Sequence, residues 1–283
     1  MTIVSTIQEM QDAADAWRAQ GKRIAVVPTM GYLHEGHTSL IRVARQHADA
    51  VVTSIFVNPA QFGPNEDFTR YPRDIERDTS LAKSAGTDVL FIPSTEEMYP
   101  SEYMTYVEVE RITTLLEGKF RPTHFRGVTT VVAKLFNIVK PHVALFGQKD
   151  AQQVVVLQRM VKDLNFDLEI IVAPIVREPD GLAMSSRNVY LTSPERKEAL
   201  VLSQSLGLAE QMIRKGERNA ASVIAAMRTF ISSQPSAKID YVSLADGETL
   251  QELSMLPSGK TILISLAVRI GKTRLIDNIP LIV

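Results

Sequence analysis

Apolar positions in the first two thirds of the chain follow two alternating rhythms. Short continuous apolar runs read as buried strands at Ile24–Pro28, Ala50–Val57, Asp88–Ile92, Val143–Phe146 and Leu168–Ala173. Between them, apolar residues recur at helical spacing. Ile7, Met10, Ala14 and Trp17 mark one face of a helix that Ser5 and Thr6 open and Gly21 stops, with Gln8 and Glu9 at capping-box distance. Leu40, Ile41 and Ala44 point a second helix, about Gly36 to His47, inward. Pro72 is placed to begin a third, ending at Gly86. Asp150 opens a fourth, with Val154, Leu157, Val161 and Leu164 on one face.

Fully apolar strands joined by helices of this length predict parallel pairing through βαβ crossovers. The fold class expected is α/β, a doubly wound, Rossmann-like parallel sheet. In such sheets ligands bind beyond the carboxyl ends of the strands. The last third reads differently. Thr192, Ser193, Pro194 and Glu195 start a helix that runs to Lys215, and a second spans Asn219 to Ser232. Strands follow near Ile239–Leu244, Thr261–Val268 and Thr273–Ile276. Helices followed by strands predict a smaller α+β domain. The expected organisation is therefore a Rossmann-like domain over residues 1–176 and a smaller C-terminal α+β domain over residues 177–283.

Composition narrows the chemistry. With 283 residues, 45% apolar and 22% charged, the chain has the make-up of a folded globular protein. Its 31 basic and 32 acidic residues nearly cancel, which argues against a general nucleic-acid binder. There is no cysteine, so disulfides, thiolate metal sites and thiol nucleophiles are excluded. The first basic residue is Arg18, and the most apolar stretch, about Ile262 to Val268, is far shorter than the roughly 20 residues that span a bilayer. A cytoplasmic protein with no membrane partner is expected.

The loop after the first strand holds the strongest chemical signal. Val26 to His37 reads VVPTMGYLHEGH: a strand end, a glycine turn, then two histidines at a helix start. Free N–H groups and the helix dipole favour a phosphate there. Gly31 and Gly36 let backbone approach it, and His34 and His37, three apart, share a helical face from which each can donate to phosphate oxygens. The zinc-protease signature needs histidines four apart and a third ligand, and neither is present. Gly271-Lys272-Thr273 ends like a phosphate loop, but Leu266 stands where its first glycine belongs, so Lys272 reads as a surface charge.

His34-Glu35-Gly36-His37 after Pro28-Thr29-Met30-Gly31 resembles the HxGH motif of the nucleotidylyltransferase superfamily. Ordered matches along the whole chain resemble the pantoate–β-alanine ligase family in particular. They are VNPAQFGPNED from Val57, RYPR from Arg70, HFRGVTTVV from His124, FGQKDAQQ from Phe146, GLAMSSRN from Gly181 and RLIDN from Arg274. The resemblance implies ATP, pantoate and β-alanine as substrates. It also implies Mg2+ as cofactor, a pantoyl-adenylate intermediate, release of AMP and pyrophosphate, and a homodimer.

Site roles follow from that resemblance. His37 and Lys149 are expected at the α-phosphate, with His34, Ser185, Ser186 and Arg187 on the phosphates and pyrophosphate more generally. Met30, Gly31, Gly147, Asp150, Val176 and Met184 complete the expected ATP contacts, Val176 through its backbone. Gln61, Gln153 and Asn58 are expected to bind pantoate or β-alanine, and Asp78 is a candidate magnesium ligand. Competing structural readings stay open. Asn58-Pro59 is also ordinary turn punctuation, Gln153 could complete a capping box with Asp150, Met184–Arg187 could be a plain polar loop, and His124 and Arg126 could be substrate-side or packing residues. Two other functions also stay open: a different HxGH nucleotidylyltransferase with a stable nucleotide product, and a nucleotide sensor without activity.

Overall fold

The computed structural model describes residues 1–64 and 66–283; Asn65, within the Val57–Asp67 string, lies outside the described residues. In chain order the elements are β1 (Thr2–Val4), α1 (Ile7–Ala19), β2 (Ile24–Thr29), α2 (Glu35–His47), β3 (Ala50–Ile55), α3 (Ile75–Ala85), β4 (Val89–Phe91) and α4 (Thr95–Met98). Then come α5 (Leu116–Phe120), α6 (His124–Val139), β5 (Val143–Gly147), α7 (Ala151–Asp163), β6 (Glu169–Ala173), α8 (Ser193–Glu198), α9 (Val201–Arg214), α10 (Ala220–Ile231), β7 (Ala237–Asp246), β8 (Thr261–Ile270) and β9 (Thr273–Ile282). They form two units. The first holds residues 1–110, 121–148 and 156–174, the second residues 111–120, 149–155 and 175–283.

The first unit is built on a six-stranded parallel sheet in the order β1-β4-β3-β2-β5-β6. β2 and β3 pair in register over their whole length, Ile24 with Ala50 through Thr29 with Ile55. Every residue of β3 is buried, as expected of a parallel strand covered on both faces. Ala25, Val27, Val51, Leu90, Val143 and Leu145 pack with Leu40, Ile41 and Ala44 of α2 into one core. The strand order reverses between β2 and β5, and the loops leaving their carboxyl ends diverge there, which is where such sheets bind ligands.

The second unit has a three-stranded antiparallel sheet, β7-β8-β9. Alternate residues of β8, Ile262, Ile264, Leu266, Val268 and Ile270, pack with Leu202 and Leu206 of α9 and Val223 and Met227 of α10. Leu263, on the other face of β8, meets Leu116, Ala151 and Leu250. The hairpin turn between β8 and β9 carries Gly271 at φ +56°, and Lys272 beside it is exposed, as expected of a surface charge. Pro280 sits in edge strand β9, where a missing N–H costs no ladder bond.

The expected elements are present, with corrections at their limits. The α1 capping box is formed between Thr6 and Glu9. α3 starts at Ile75 rather than Pro72, because the Asp74 carboxylate accepts the Arg77 N–H and caps it. β3 stops at Ile55, before Val57. α7 starts at Ala151 through a 3-10 turn, Gln148–Asp150, so Asp150 ends a turn instead of opening the helix. The helix expected from Thr192 to Lys215 is interrupted between α8 and α9. There Leu200 donates to the Lys197 carbonyl and Leu202 to that of Ala199, tightening one turn to three-residue spacing. The last three strands each run to ten residues. β1, too short to show a pattern, escaped the sequence reading. No helix among the described residues is long and apolar enough to cross a membrane.

Candidate active site

In the first unit, β2 delivers the chain to Met30 and Gly31 at the reversal point. Gly31 has φ +82°, and a Cβ there would lie 2.9 Å from Ile55 Cγ2 and 3.0 Å from Asp78 Oδ2, so only glycine fits. Asp78, 1% exposed, fastens the loop. Its Oδ2 accepts the Tyr32 N–H and its Oδ1 the Leu33 N–H, each at 2.6 Å. Burial pushes its carboxyl pKa above the ordinary value, against the downward pull of those two N–H groups. Each carboxylate oxygen of Asp78 is thus engaged by the loop backbone.

The loop ends at His34, the N-cap of α2. His34 Nδ1 accepts the Gly36 N–H at 3.1 Å, and the His34 N–H donates to His37 Nδ1 at 3.3 Å. The two histidines thus form a capping box with each other. A backbone N–H can only donate, so each Nδ1 is an acceptor and the proton of each neutral ring sits on Nε2. The cap thereby makes two Nε2–H donors at the positive end of a helix dipole, their rings 4.1 Å apart. Gly36 is required for this: a Cβ there would lie 2.8 Å from His34 Cε1 and 2.9 Å from Nδ1.

A second cluster in the same unit holds Gln61. Asn58 Oδ1 accepts the Ala60 N–H (3.2 Å) and the Tyr99 hydroxyl (2.9 Å). Its Nδ2 donates to the Gly127 carbonyl (3.0 Å) and to Gln61 Oε1 (3.1 Å). Both ends of the Asn58 amide are engaged within the unit, and its work is to orient Gln61. With its oxygen held, Gln61 presents Nε2, which reaches the Met30 sulfur, a weak acceptor, at 3.0 Å. The Gln61 carbonyl meets His124 Nδ1 at 3.0 Å and Arg121 at 3.4 Å; Arg121 is itself clamped by Glu66. At Gly127 in α6 a Cβ would fall 2.3 Å from the Ala60 carbonyl oxygen and 2.5 Å from the Gln61 nitrogen. Tyr99, His124 and Gly127 therefore shape this cluster; of these, His124 is expected from the sequence as a substrate-side or packing residue, and Tyr99 is not singled out there. The HFRGVTTVV string was the available signal for two of them.

In the second unit, Lys149 is half-buried and Asp150 exposed at the entry to α7. Gln152 is consumed structurally: its amide donates to the Ile112 and Leu115 carbonyls and accepts the Glu117 N–H. Its neighbour Gln153 is half-buried. Val176 to Met184 forms a short hairpin in which the Val176 carbonyl accepts the Met184 N–H at 3.0 Å. The hairpin leads into Ser185, whose hydroxyl accepts the Arg187 N–H and caps the 3-10 turn Ser186–Tyr190; Ser186 is buried. Of the expected site residues, Met30, Gly31, His34, His37, Asn58, Gln61, Asp78 and Gly147 belong to the first unit. Lys149, Asp150, Gln153, Val176 and Met184–Arg187 belong to the second.

A donor pair aimed from a helix N-terminus, with a buried amide nearby, suits an anionic phosphate substrate and a second, hydroxylated or carboxylated one. The family model described as pantoate-beta-alanine ligase matches residues 2–280. A pantothenate synthetase from Thermoanaerobacter sp. (strain X514) is 57% identical over 279 residues, 99% of this chain and 98% of that protein. The crystal structure of the pantothenate synthetase from Thermus thermophilus superposes with a TM-score of 0.93 at 46% identity, covering 99% of both chains. That of a pantoate-beta-alanine ligase from Francisella tularensis, complexed with beta-gamma ATP and beta-alanine, gives 0.80 at 37% identity, over 99% of this chain and 97% of that one.

Proposed function

The chain belongs to the pantoate-beta-alanine ligase family, and from that premise we propose that its capped imidazoles, His34 and His37, together with Lys149, act on the phosphates of ATP. The enzyme makes pantothenate from pantoate and β-alanine, driven by ATP. Neither a different nucleotidylyltransferase nor an inactive sensor is favoured by matches of this length and identity.

Pantoate carboxylate attacks the α-phosphorus of ATP: an oxygen–phosphorus bond forms, the bond from the α-phosphorus to its bridging oxygen breaks, and pyrophosphate leaves with that oxygen and its electron pair. The mixed anhydride then takes the β-alanine amine at its carbonyl carbon. A carbon–nitrogen bond forms, the bond to the AMP oxygen breaks, and the amine proton passes to solvent. In the first step charge gathers on the α-phosphate and the leaving pyrophosphate, so positioned donors are the main catalytic need. His37 and Lys149 serve the α-phosphate. His34, Ser185, Ser186 and Arg187 serve the remaining phosphates, the arginine as a bidentate fork. Met30, Gly31, Gly147, Asp150, Val176 and Met184 contribute the remaining ATP contacts. With Nδ1 of His37 held by its cap, His37 meets the phosphate through Nε2–H.

Gln61 and Gln153 hold pantoate, with Asn58 behind Gln61. In this reading residues 1–176 carry nucleotide and pantoate recognition, and residues 177–283 supply the pyrophosphate loop. The protein acts in the cytoplasm as a homodimer. Mg2+ arrives with the ATP phosphates. The chain's own residues do not build a cage for it: among the described residues no group of three or more His, Asp or Glu could hold a metal, and both oxygens of Asp78 are engaged by backbone. No step is assigned to the metal.

The observation that carries the reading is the pair of imidazoles whose Nδ1 atoms are both spent on the α2 cap. A pyrophosphate-release assay with ATP and pantoate, with and without β-alanine, tests it. His37→Ala and Lys149→Ala are each expected to slow adenylation by about 10²–10³. Gln153→Ala is expected to raise the pantoate KM. A folded His37→Ala enzyme with parental pyrophosphate release removes the role given to that ring.

A further inference from the structure

We infer that two consecutive residues of β9, Asp277 and Asn278, are positioning residues for the phosphate loops of the second unit: Asn278 for Lys149, and Asp277, through Arg177, for the hairpin that leads to Ser185. The inference rests on the phosphate roles proposed above for Lys149 and for Ser185–Arg187.

Asn278 is buried, and its Nδ2 donates to the Lys149 carbonyl at 2.9 Å, a contact between residues 129 apart in sequence. That carbonyl lies where the 3-10 turn Gln148–Asp150 passes into α7. Hydrogen-bond spacing changes there from three residues to four. Asn278 holds that carbonyl and so fixes the backbone from which the Lys149 ammonium projects. One residue earlier, Asp277 is 1% exposed on its side chain and takes a two-pronged contact from Arg177: Nη1 to Oδ2 at 2.7 Å and Nη2 to Oδ1 at 2.9 Å. Arg177 Nη1 also donates to the Gly181 carbonyl at 3.1 Å, across the turn of the hairpin. The two anchors are joined, since the Asn278 N–H donates to Asp277 Oδ1 at 2.8 Å. One rigid strand segment thus braces both loops. Neither side chain is assigned a substrate contact. They act through the loops, and a reacting group displaced by about 1 Å can cost about 10² in rate.

The test is a cycle of variants in the full-length enzyme, read by pyrophosphate release at saturating pantoate and by thermal melting. Asn278→Leu keeps the volume without a donor; Asn278→Ala removes the contact and the volume. Each is expected to lower kcat about 10- to 100-fold at a temperature where melting shows the variant still folded. In a Lys149→Ala background each should cost nothing further, because the effect passes through the lysine. For the Asp277 arm, the pair Arg177→Met with Asp277→Leu avoids leaving a lone buried charge. It is expected to raise the ATP KM at least about tenfold. If Lys149→Ala is slow but the Asn278 variants stay within about twofold of the parent, or add their full effect to Lys149→Ala, the inference fails while the role of Lys149 stands. If Lys149→Ala itself is unimpaired, the role of Lys149 fails and the Asn278 arm with it. An ATP KM within about twofold of the parent's in the Arg177–Asp277 pair overturns that arm.

Discussion

Replacing Gly36 with alanine is expected to separate activity from stability. Gly36 is the second residue of α2, with φ outside the left-handed region, so its backbone accepts alanine. In an ordinary helix the change would stabilise by up to about 1 kcal/mol. Here the new Cβ lies 2.8 Å from His34 Cε1 and 2.9 Å from Nδ1, whereas carbon atoms rest at about 3.5–4.0 Å. The ring must retreat by about 0.7–1 Å, with the His37 ring 4.1 Å away. The 3.1 Å cap from Gly36 N–H to Nδ1 then stretches to about 4 Å, past hydrogen-bonding range. Losing a cap costs about 0.5–2 kcal/mol. Helix propensity offsets much of that, and net stability should change by about 1 kcal/mol or less. Catalysis has no such offset. A donor displaced by about 1 Å costs about 10² in rate, roughly 2.7 kcal/mol of barrier. Urea unfolding and pyrophosphate release on one preparation read both quantities. A Gly36→Ala enzyme with parental turnover, or one whose activity falls only because the fold is lost, refutes this account of the cap.

Two further outcomes follow from other contacts. Gly127→Ala forces a Cβ to 2.3 Å from the Ala60 carbonyl oxygen, where backbone cannot yield cheaply. Unfolding experiments should show a loss of about 2–3 kcal/mol, and the pantoate KM should rise as Gln61 moves. A neutral variant would mean that α6 does not fix Gln61. His142 Nδ1 accepts the Ile24 N–H at 3.0 Å, and burial, then Arg18 and Arg23, hold its pKa below the ordinary value. The folded state thus resists protonation more than the unfolded chain does. The contribution is present above about pH 6.5 and is lost as pH falls through the depressed folded value. Urea midpoints should drop between about pH 7.5 and about pH 5 by more in the parent than in His142→Gln, and equal slopes would exclude His142 as the source.

The Asp78 clamp shows how the loop chemistry is distributed through the sequence. The glycines and histidines proposed to meet the phosphates sit together between Gly31 and His37, whereas the carboxylate that holds the loop backbone stands 46 residues from Tyr32. Asn58 finds its partner 69 residues away in Gly127, and Lys149 finds its partner 129 residues away in Asn278. The groups proposed to meet substrate therefore stand out in the sequence, and the long-range contacts that would aim them do not.

Local signals act within one or two turns of chain, so the sequence by itself determined the buried parallel strands, the Thr6–Glu9 capping box, the inward face of α2 and the glycine–histidine loop after β2. What brought Asp78 under the loop, Gly127 against the Ala60 backbone and β9 beside Lys149 was the order of strands and the packing of helices on them. Each of those contacts depends on two distant segments meeting within about 3 Å. No periodicity records such a meeting, because burial, not sequence neighbourhood, makes the contact favourable.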